Sequence, residues 1–127
     1  MTIVIWNLVF TFRSMFSMKT RWYRFASSEE ELNQLLGKRE CIPMKVNSTA
    51  VLLVKHQGKF HLVKNRCPHQ GITLENAYCV DGDIVCPWHQ YGFSLENGRG
   101  AGLYLEIYPI EKREDGFYAG FEKFSIF

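Results

Sequence analysis

Two short stretches of this chain hold residues of the kind that bind metals: Cys67-Pro68-His69-Gln70-Gly71 and Cys86-Pro87-Trp88-His89-Gln90-Tyr91-Gly92-Phe93. Each supplies one thiol and one imidazole, in the pattern C-x-H, sixteen intervening residues, C-x-x-H. Thiolate sulfur and neutral imidazole nitrogen suit zinc and iron–sulfur chemistry. Four cysteines could also make two disulfides, and counting alone permits that. A disulfide framework, however, gives no reason for histidines at these spacings. Cys41 and Cys79 stand apart from both stretches and read as free thiols behaving as small apolar residues, with a Cys41–Cys79 bridge as the alternative.

Three metal assignments compete. Two thiolates and two imidazoles can hold a structural zinc, but zinc sites commonly pair like ligands, as C-x-x-C and H-x3-5-H. An iron–sulfur cluster with four cysteines would need Cys41 and Cys79, which lack loop-like surroundings. A [2Fe–2S] cluster with two cysteines on one iron and two histidines on the other uses one Cys and one His from each stretch. Charge counting gives this arrangement a purpose. Four thiolates around a doubly positive core leave a dianion, whereas two thiolates and two neutral imidazoles leave a neutral object that accepts an electron more readily in a low dielectric.

Something must bring the two stretches face to face, and the rest of the chain reads as that scaffold. Arg21 to Ala26 forms a first strand. Ser27 and Ser28 precede a short helix over Glu29 to Leu36, with Glu30 and Glu31 placed for a capping box, Gly37 as the stop, and Leu32, Leu35 and Leu36 as the buried stripe. From there the signals are β. Cys41 to Val46 is a strand; Ala50 to His56 and Lys59 to Lys64 make a hairpin about Gln57-Gly58. Tyr78 to Val80 and Asp83 to Cys86 make a second about Asp81-Gly82. Phe93 to Leu95 is followed by a turn at Glu96 to Arg99. Leu103 to Lys112 and Phe117 to Phe121 close the domain around Asp115-Gly116. Short, regularly spaced strands predict an all-β fold, a small antiparallel sandwich or barrel. One candidate stretch follows each hairpin, so their tips can grip a cofactor as a clamp. His56 and His61 lie within hairpin strands and are not expected to be ligands.

Length and composition agree. At 127 residues the chain is one domain, large enough to bury a core without staples. A formal charge of +2 is too small to argue for nucleic acid or an anionic membrane surface. Met1 to Phe12 is apolar but shorter than the roughly 20 residues of a membrane span, and Arg13 ends it. Its first charge follows the apolar run, unlike a signal peptide. Residues 1–17 therefore read as an extension, either upstream of a start at Met18 or as a packing or docking segment, a strand if ordered. Residues 18–127 read as the domain.

The two stretches resemble the motifs of Rieske-type [2Fe–2S] proteins: C-x-H, a spacer of this length and C-x-x-H. The resemblance extends to Pro68, Gly71, Pro87, Trp88, Phe93-Ser94-Leu95 and Asn97-Gly98-Arg99, and in strand order to about residues 20 to 122. It implies one [2Fe–2S] cluster per chain in a subdomain of two hairpin loops, about residues 65–98. Cys67 and Cys86 would bind the inner iron; His69 and His89 would bind the outer, solvent-facing one. Pro68 and Pro87 stiffen the loops, and Gly71 and Gly92 are expected to let backbone N–H groups approach the sulfurs. Relatives of high potential add a cysteine to each loop and bridge them, where this chain has Ile72 and Trp88; their sulfur-donating serine and tyrosine fall at Tyr91 and Phe93. The low-potential, ferredoxin-like branch is implied.

The resemblance also implies a function. The expected protein is a cytoplasmic, monomeric electron carrier. It would take single electrons from a flavin-dependent reductase to an oxygenase or similar acceptor, with no independent catalytic site. The alternatives are a Rieske subunit of a larger oxidoreductase such as nitrite reductase, a redox or iron sensor, and a structural zinc domain. Too few residues follow the second loop to house a mononuclear-iron oxygenase domain. Trp88 is expected to shield the cluster from water. Gly100-Ala101-Gly102 lacks the proline often found in the loop over the cluster's third side.

Overall fold

The computed structural model describes residues 18–69, 71–88 and 90–124. The amino-terminal run within residues 1–17 and His89 lie outside the described residues. β1 (Met18–Ala26) begins three residues before the strand expected from sequence and leads into α1 (Glu29–Leu36). The Ser28 side chain accepts the Glu31 N–H at 3.1 Å as the N-cap, and the Glu31 carboxylate reaches back one residue further than in a capping box, to Ser27. Leu32 and Leu36 are buried, whereas Leu35 is exposed, contrary to expectation. A helix of just over two turns meets the core along one i, i+4 pair, and Leu35 falls beside that line.

The strands β2 (Cys41–Val46), β3 (Thr49–His56) and β4 (Lys59–Lys64) pair in sequence, and β10 (Ile107–Tyr108) joins the outer edge of β4. β12 (Gly116–Phe124) lies between β1 and β11 (Ile110–Arg113) in a second sheet. The third is a meander of β5 (Tyr78–Val80), β6 (Asp83–Val85) and β7 (Gly92–Ser94), and β8 (Arg99–Gly100) pairs with β9 (Leu103–Tyr104). The strand pairs are all antiparallel.

The closing strand expected over Leu103 to Lys112 is divided among three sheets. Tyr104 pairs with Arg99, Ile107 with Val63, and Ile110 with Ala119. Pro109 sits where the chain crosses from the β4 edge to the β12 edge. It has no N–H for a ladder, while its carbonyl accepts Gly120 N–H at 2.9 Å.

The β2–β3–β4 sheet is buried on both faces. Leu52, Val54 and Val63 face one core with Leu74, Ile84 and Phe93; Val51, Leu53 and Leu62 face another with Leu32, Leu36, Phe117 and Ala119. This explains the continuous apolar run at 51–54, since neither face of β3 meets water there. Each fully buried leucine contributes about 1.5–3 kcal/mol of transfer free energy. The first of these cores also contains Cys67 and Cys86. Among the described residues, no helix is long and apolar enough to cross a membrane.

Candidate metal centre

Both Cys/His stretches are closed loops built alike. In loop 1, entered from β4, Cys67 N–H donates to the Ile72 carbonyl at 2.8 Å; in loop 2, entered from β6, Cys86 N–H donates to the Tyr91 carbonyl at 2.9 Å. Each cysteine thus bonds the carbonyl five residues on, which leaves His69 exposed in loop 1 and Pro87 and Trp88 exposed in loop 2. Asn65 Oδ1 accepts the Leu74 N–H at 2.8 Å and ties the two ends of loop 1 together. Gly71 differs from expectation: its N–H donates to the Cys67 carbonyl at 2.8 Å, and its positive φ of 69° makes that turn possible. Gly92 is an ordinary residue of β7 paired with Val85. The close approach occurs instead at Gly100, where a Cβ would stand 1.9 Å from the Gly92 carbonyl oxygen. β8 therefore crosses directly over the exit of loop 2. Tyr104, on β9, lines a cleft with Cys67, Pro68 and Gly71, so the β8–β9 hairpin also borders loop 1.

The structure brings Cys67 and Cys86 together. Both are fully buried free thiols. Burial pushes the Cys86 thiol up; the Trp88 backbone N–H, bonded to the sulfur, works against this, and the Cys67 thiol within hydrogen-bonding reach adds to it. The raised Cys86 thiol, beside a second buried thiol, resists ionisation until a cation neutralises it, which is the behaviour of a thiol placed to bind metal. His69 is exposed at the tip of loop 1, and its ring lies on the Tyr91 ring of loop 2 with centroids 4.1 Å apart. The imidazole of one loop is thus held by an aromatic of the other, a contact the sequence reading missed. Among the described residues, no three or more His, Cys, Asp or Glu side chains gather at metal-binding distance; His89 lies outside that description.

Trp88 is 60 % exposed, so it does not shield the centre as expected. It follows Pro87 at the outward tip of loop 2. Cys41 and Cys79 are free thiols outside the two loops, Cys41 in the same core as Cys67 and Cys86 and Cys79 packed against it. The Cys41 thiol donates to the Ala77 carbonyl at 3.3 Å, and burial raises its pKa. Cys79 is pushed up to about 12 by burial and by the Glu40 carboxylate, which also accepts its backbone N–H at 2.8 Å. Both are inert by this measure. His61 is half-buried, and burial, then Lys59 and His56, lower its pKa.

The family model for the Rieske [2Fe-2S] domain matches residues 21–104. The chain belongs to the Rieske family. It is 39 % identical over 70 residues to the ferredoxin component of an alkene monooxygenase system from Xanthobacter autotrophicus, covering 52 % of this chain and 57 % of that protein. It is 37 % identical over 78 residues to a human Rieske domain-containing protein, covering 58 % and 48 %. The chain thus spans about half the length of these relatives. Its fold matches the ferredoxin of carbazole 1,9a-dioxygenase from Nocardioides aromaticivorans with a TM-score of 0.59 and 16 % identity, over 76 % of this chain and 93 % of that one. The cofactor of this Rieske chain is a [2Fe–2S] cluster. The buried thiol pair and the exposed imidazole beside it fit that cofactor, with soft donors inside and a neutral donor at the edge.

Proposed function

We propose that this chain is an electron-transfer protein of ferredoxin type, passing single electrons from a flavin-dependent reductase to an oxygenase or similar acceptor. The observation that carries this is the adjacency of buried Cys67 and Cys86 beneath the exposed His69. We assign Cys67 and Cys86 to the inner iron, and His69 and His89 to the outer. The assigned domain is 18–127, with ligand-bearing loops within about 65–98. When bound, the cluster supplies a one-electron couple whose mixed thiolate and imidazole ligation places it above all-cysteine clusters.

The chain's own residues do the rest. Phe93, Leu74 and Leu105, fully or almost fully buried, exclude water from the inner side. Tyr91 orients the His69 ring, and exposed Trp88 offers an aromatic contact beside the histidine edge. Ile72 and Trp88 stand where a loop-bridging disulfide would require cysteines, and Phe93 has no hydroxyl to donate to sulfur. With fewer donors the potential belongs in the lower part of the range of about −150 to +300 mV. A monomeric, cytoplasmic shuttle is the simplest setting.

Anaerobic purification with iron and acid-labile sulfide analysis tests the assignment. Two irons and two sulfides in a brown protein support it; colourless protein holding zinc ends it. Similarity to stretches of much longer proteins, 12 % of human apoptosis-inducing factor 3 and 19 % of a vanillate O-demethylase oxygenase subunit, favours a second reading, a domain or subunit of a larger oxidoreductase. Co-purification with an enzyme, rather than a free monomer that cycles with a flavin reductase, would select it.

A further inference from the structure

β4 runs from the Gln57-Gly58 turn to loop 1, and β6 runs from the Asp81-Gly82 turn to loop 2. These hairpins are two arms whose near ends carry the ligand loops and whose far ends are turns. They belong to different sheets, β3 and β4 to the four-stranded one and β5 and β6 to the meander, so no ladder joins them. At the far ends a side chain does. The Gly82 N–H donates to His56 Nε2 at 2.9 Å, which fastens the second turn to the last residue of β3. Only an Nε2 without a proton can accept that bond.

The surroundings of His56 give a proton somewhere to lead. The cleft around it is faced by Lys59 and His61 from β4, by Asp81 and Asp83 from the second hairpin, and by Glu96 from the turn after β7. Lys59 and His61 oppose added positive charge, whereas the three carboxylates welcome it. A protonated ring has lost its acceptor and gained a donor, and it would exchange the Gly82 amide for one of those carboxylates.

We propose that His56 is a positioning residue for the cluster: as a neutral imidazole it braces the two ligand-bearing arms, and a proton on it releases the brace. The positioning role rests on the ligand assignment proposed above. The sequence reading set His56 aside as a strand residue because it has no ligand partner, and its role is with a backbone amide that the fold brings from 26 residues away.

The test uses the holoprotein and two readouts, the exchange protection of the Gly82 amide and the rate of chromophore loss to a chelator. Wild type, His56→Gln and His56→Leu are compared at about pH 7.5 and about pH 5.5, which bracket ordinary imidazole titration. Wild type should lose Gly82 protection at the lower pH and bleach there about tenfold faster than at the higher one, the size expected for one hydrogen bond. His56→Gln, whose amide oxygen accepts at any pH, should stay protected and bleach at the slow rate at both. His56→Leu should be unprotected and fast at both. Equal Gly82 protection in wild type and His56→Leu at about pH 7.5, where the wild-type imidazole is to hold the amide, would overturn the brace. Equal acid sensitivity in wild type and His56→Gln would overturn the proton's role, and this pair decides the matter even where His56→Leu fails to fold. A wild type that never holds a chromophore would sink the cluster assignment and the positioning role together, while Gly82 exchange would still report on the brace separately.

Discussion

The two faces of the β2–β3–β4 sheet serve different regions. On one, Val51, Leu53 and Leu62 pack with α1 and the β1–β12–β11 sheet, among strands of up to nine residues and a long antiparallel register from Met18–Phe124 to Ala26–Phe117. On the other, Leu52, Val54 and Val63 pack beneath a meander whose strands have three residues each, and there the core includes two thiols. The first region is held chiefly by ladders and apolar burial. In the second, short strands leave much of the chain in loops, and the thiol pair occupies places a hydrocarbon would otherwise fill. On this account the base folds on its own chemistry and the tip depends on the cluster, and both halves are open to test.

The sharpest way to break this contrast is to remove a ligand. Cys67→Ser or Cys86→Ser should abolish the visible chromophore entirely and loosen residues of the two loops, while amide protection in β1, β3 and β12 survives. Loss of protection across both regions would mean that the base is not independent. Truncation on the other side should do the reverse. Leu53 is fully buried in the base core, and Leu53→Ala should cost about 2–5 kcal/mol by denaturant unfolding. The spectrum of the folded fraction should be unchanged.

A smaller effect probes the seam between the loops. Tyr91→Leu removes the ring on which His69 lies and should destabilise the loaded tip by about 0.5–1.5 kcal/mol, read as faster cluster loss at an unaltered base stability. The least effect concerns the thiol at the edge of the meander. Cys79 is a thiol raised to about 12 from 9.0, so the folded state holds its proton longer than the unfolded one. Its contribution to stability is complete below pH 9.0 and falls away as pH rises toward about 12. Cys79→Ala should flatten that alkaline decline slightly, and folded wild type should alkylate slowly at Cys79 near pH 8. Fast alkylation would contradict the half-buried, carboxylate-facing placement.

Much of the fold was legible in the sequence because tight turns and helix caps tolerate few residue types. The Cys/His pairs marked both loops, Asp81-Gly82 marked the second hairpin, and the Ser-x-x-Glu start marked α1. What escaped depended on partners distant in sequence. Leu103 to Lys112 looked like one strand because its apolar spacing is local, whereas its division among three sheets depends on which edges β4, β8 and β12 leave free. Leu35 and Trp88 were placed inward by residue type alone, but helix length decides the first and the outward turn of loop 2 the second. The stacking of His69 on Tyr91 and the His56–Gly82 bond join segments that only the fold brings together. In the site itself, residue types announced the chemistry and backbone closure supplied the geometry.

The measurement that bears most directly on the central claim is the EPR spectrum of the dithionite-reduced protein grown with 15N-histidine. The account predicts a brown protein whose reduced form gives a signal of low average g, with hyperfine coupling to two histidine nitrogens that disappears as a set in His69→Ala and His89→Ala. A colourless protein, or a reduced cluster whose signal shows no coupled nitrogen, would contradict it.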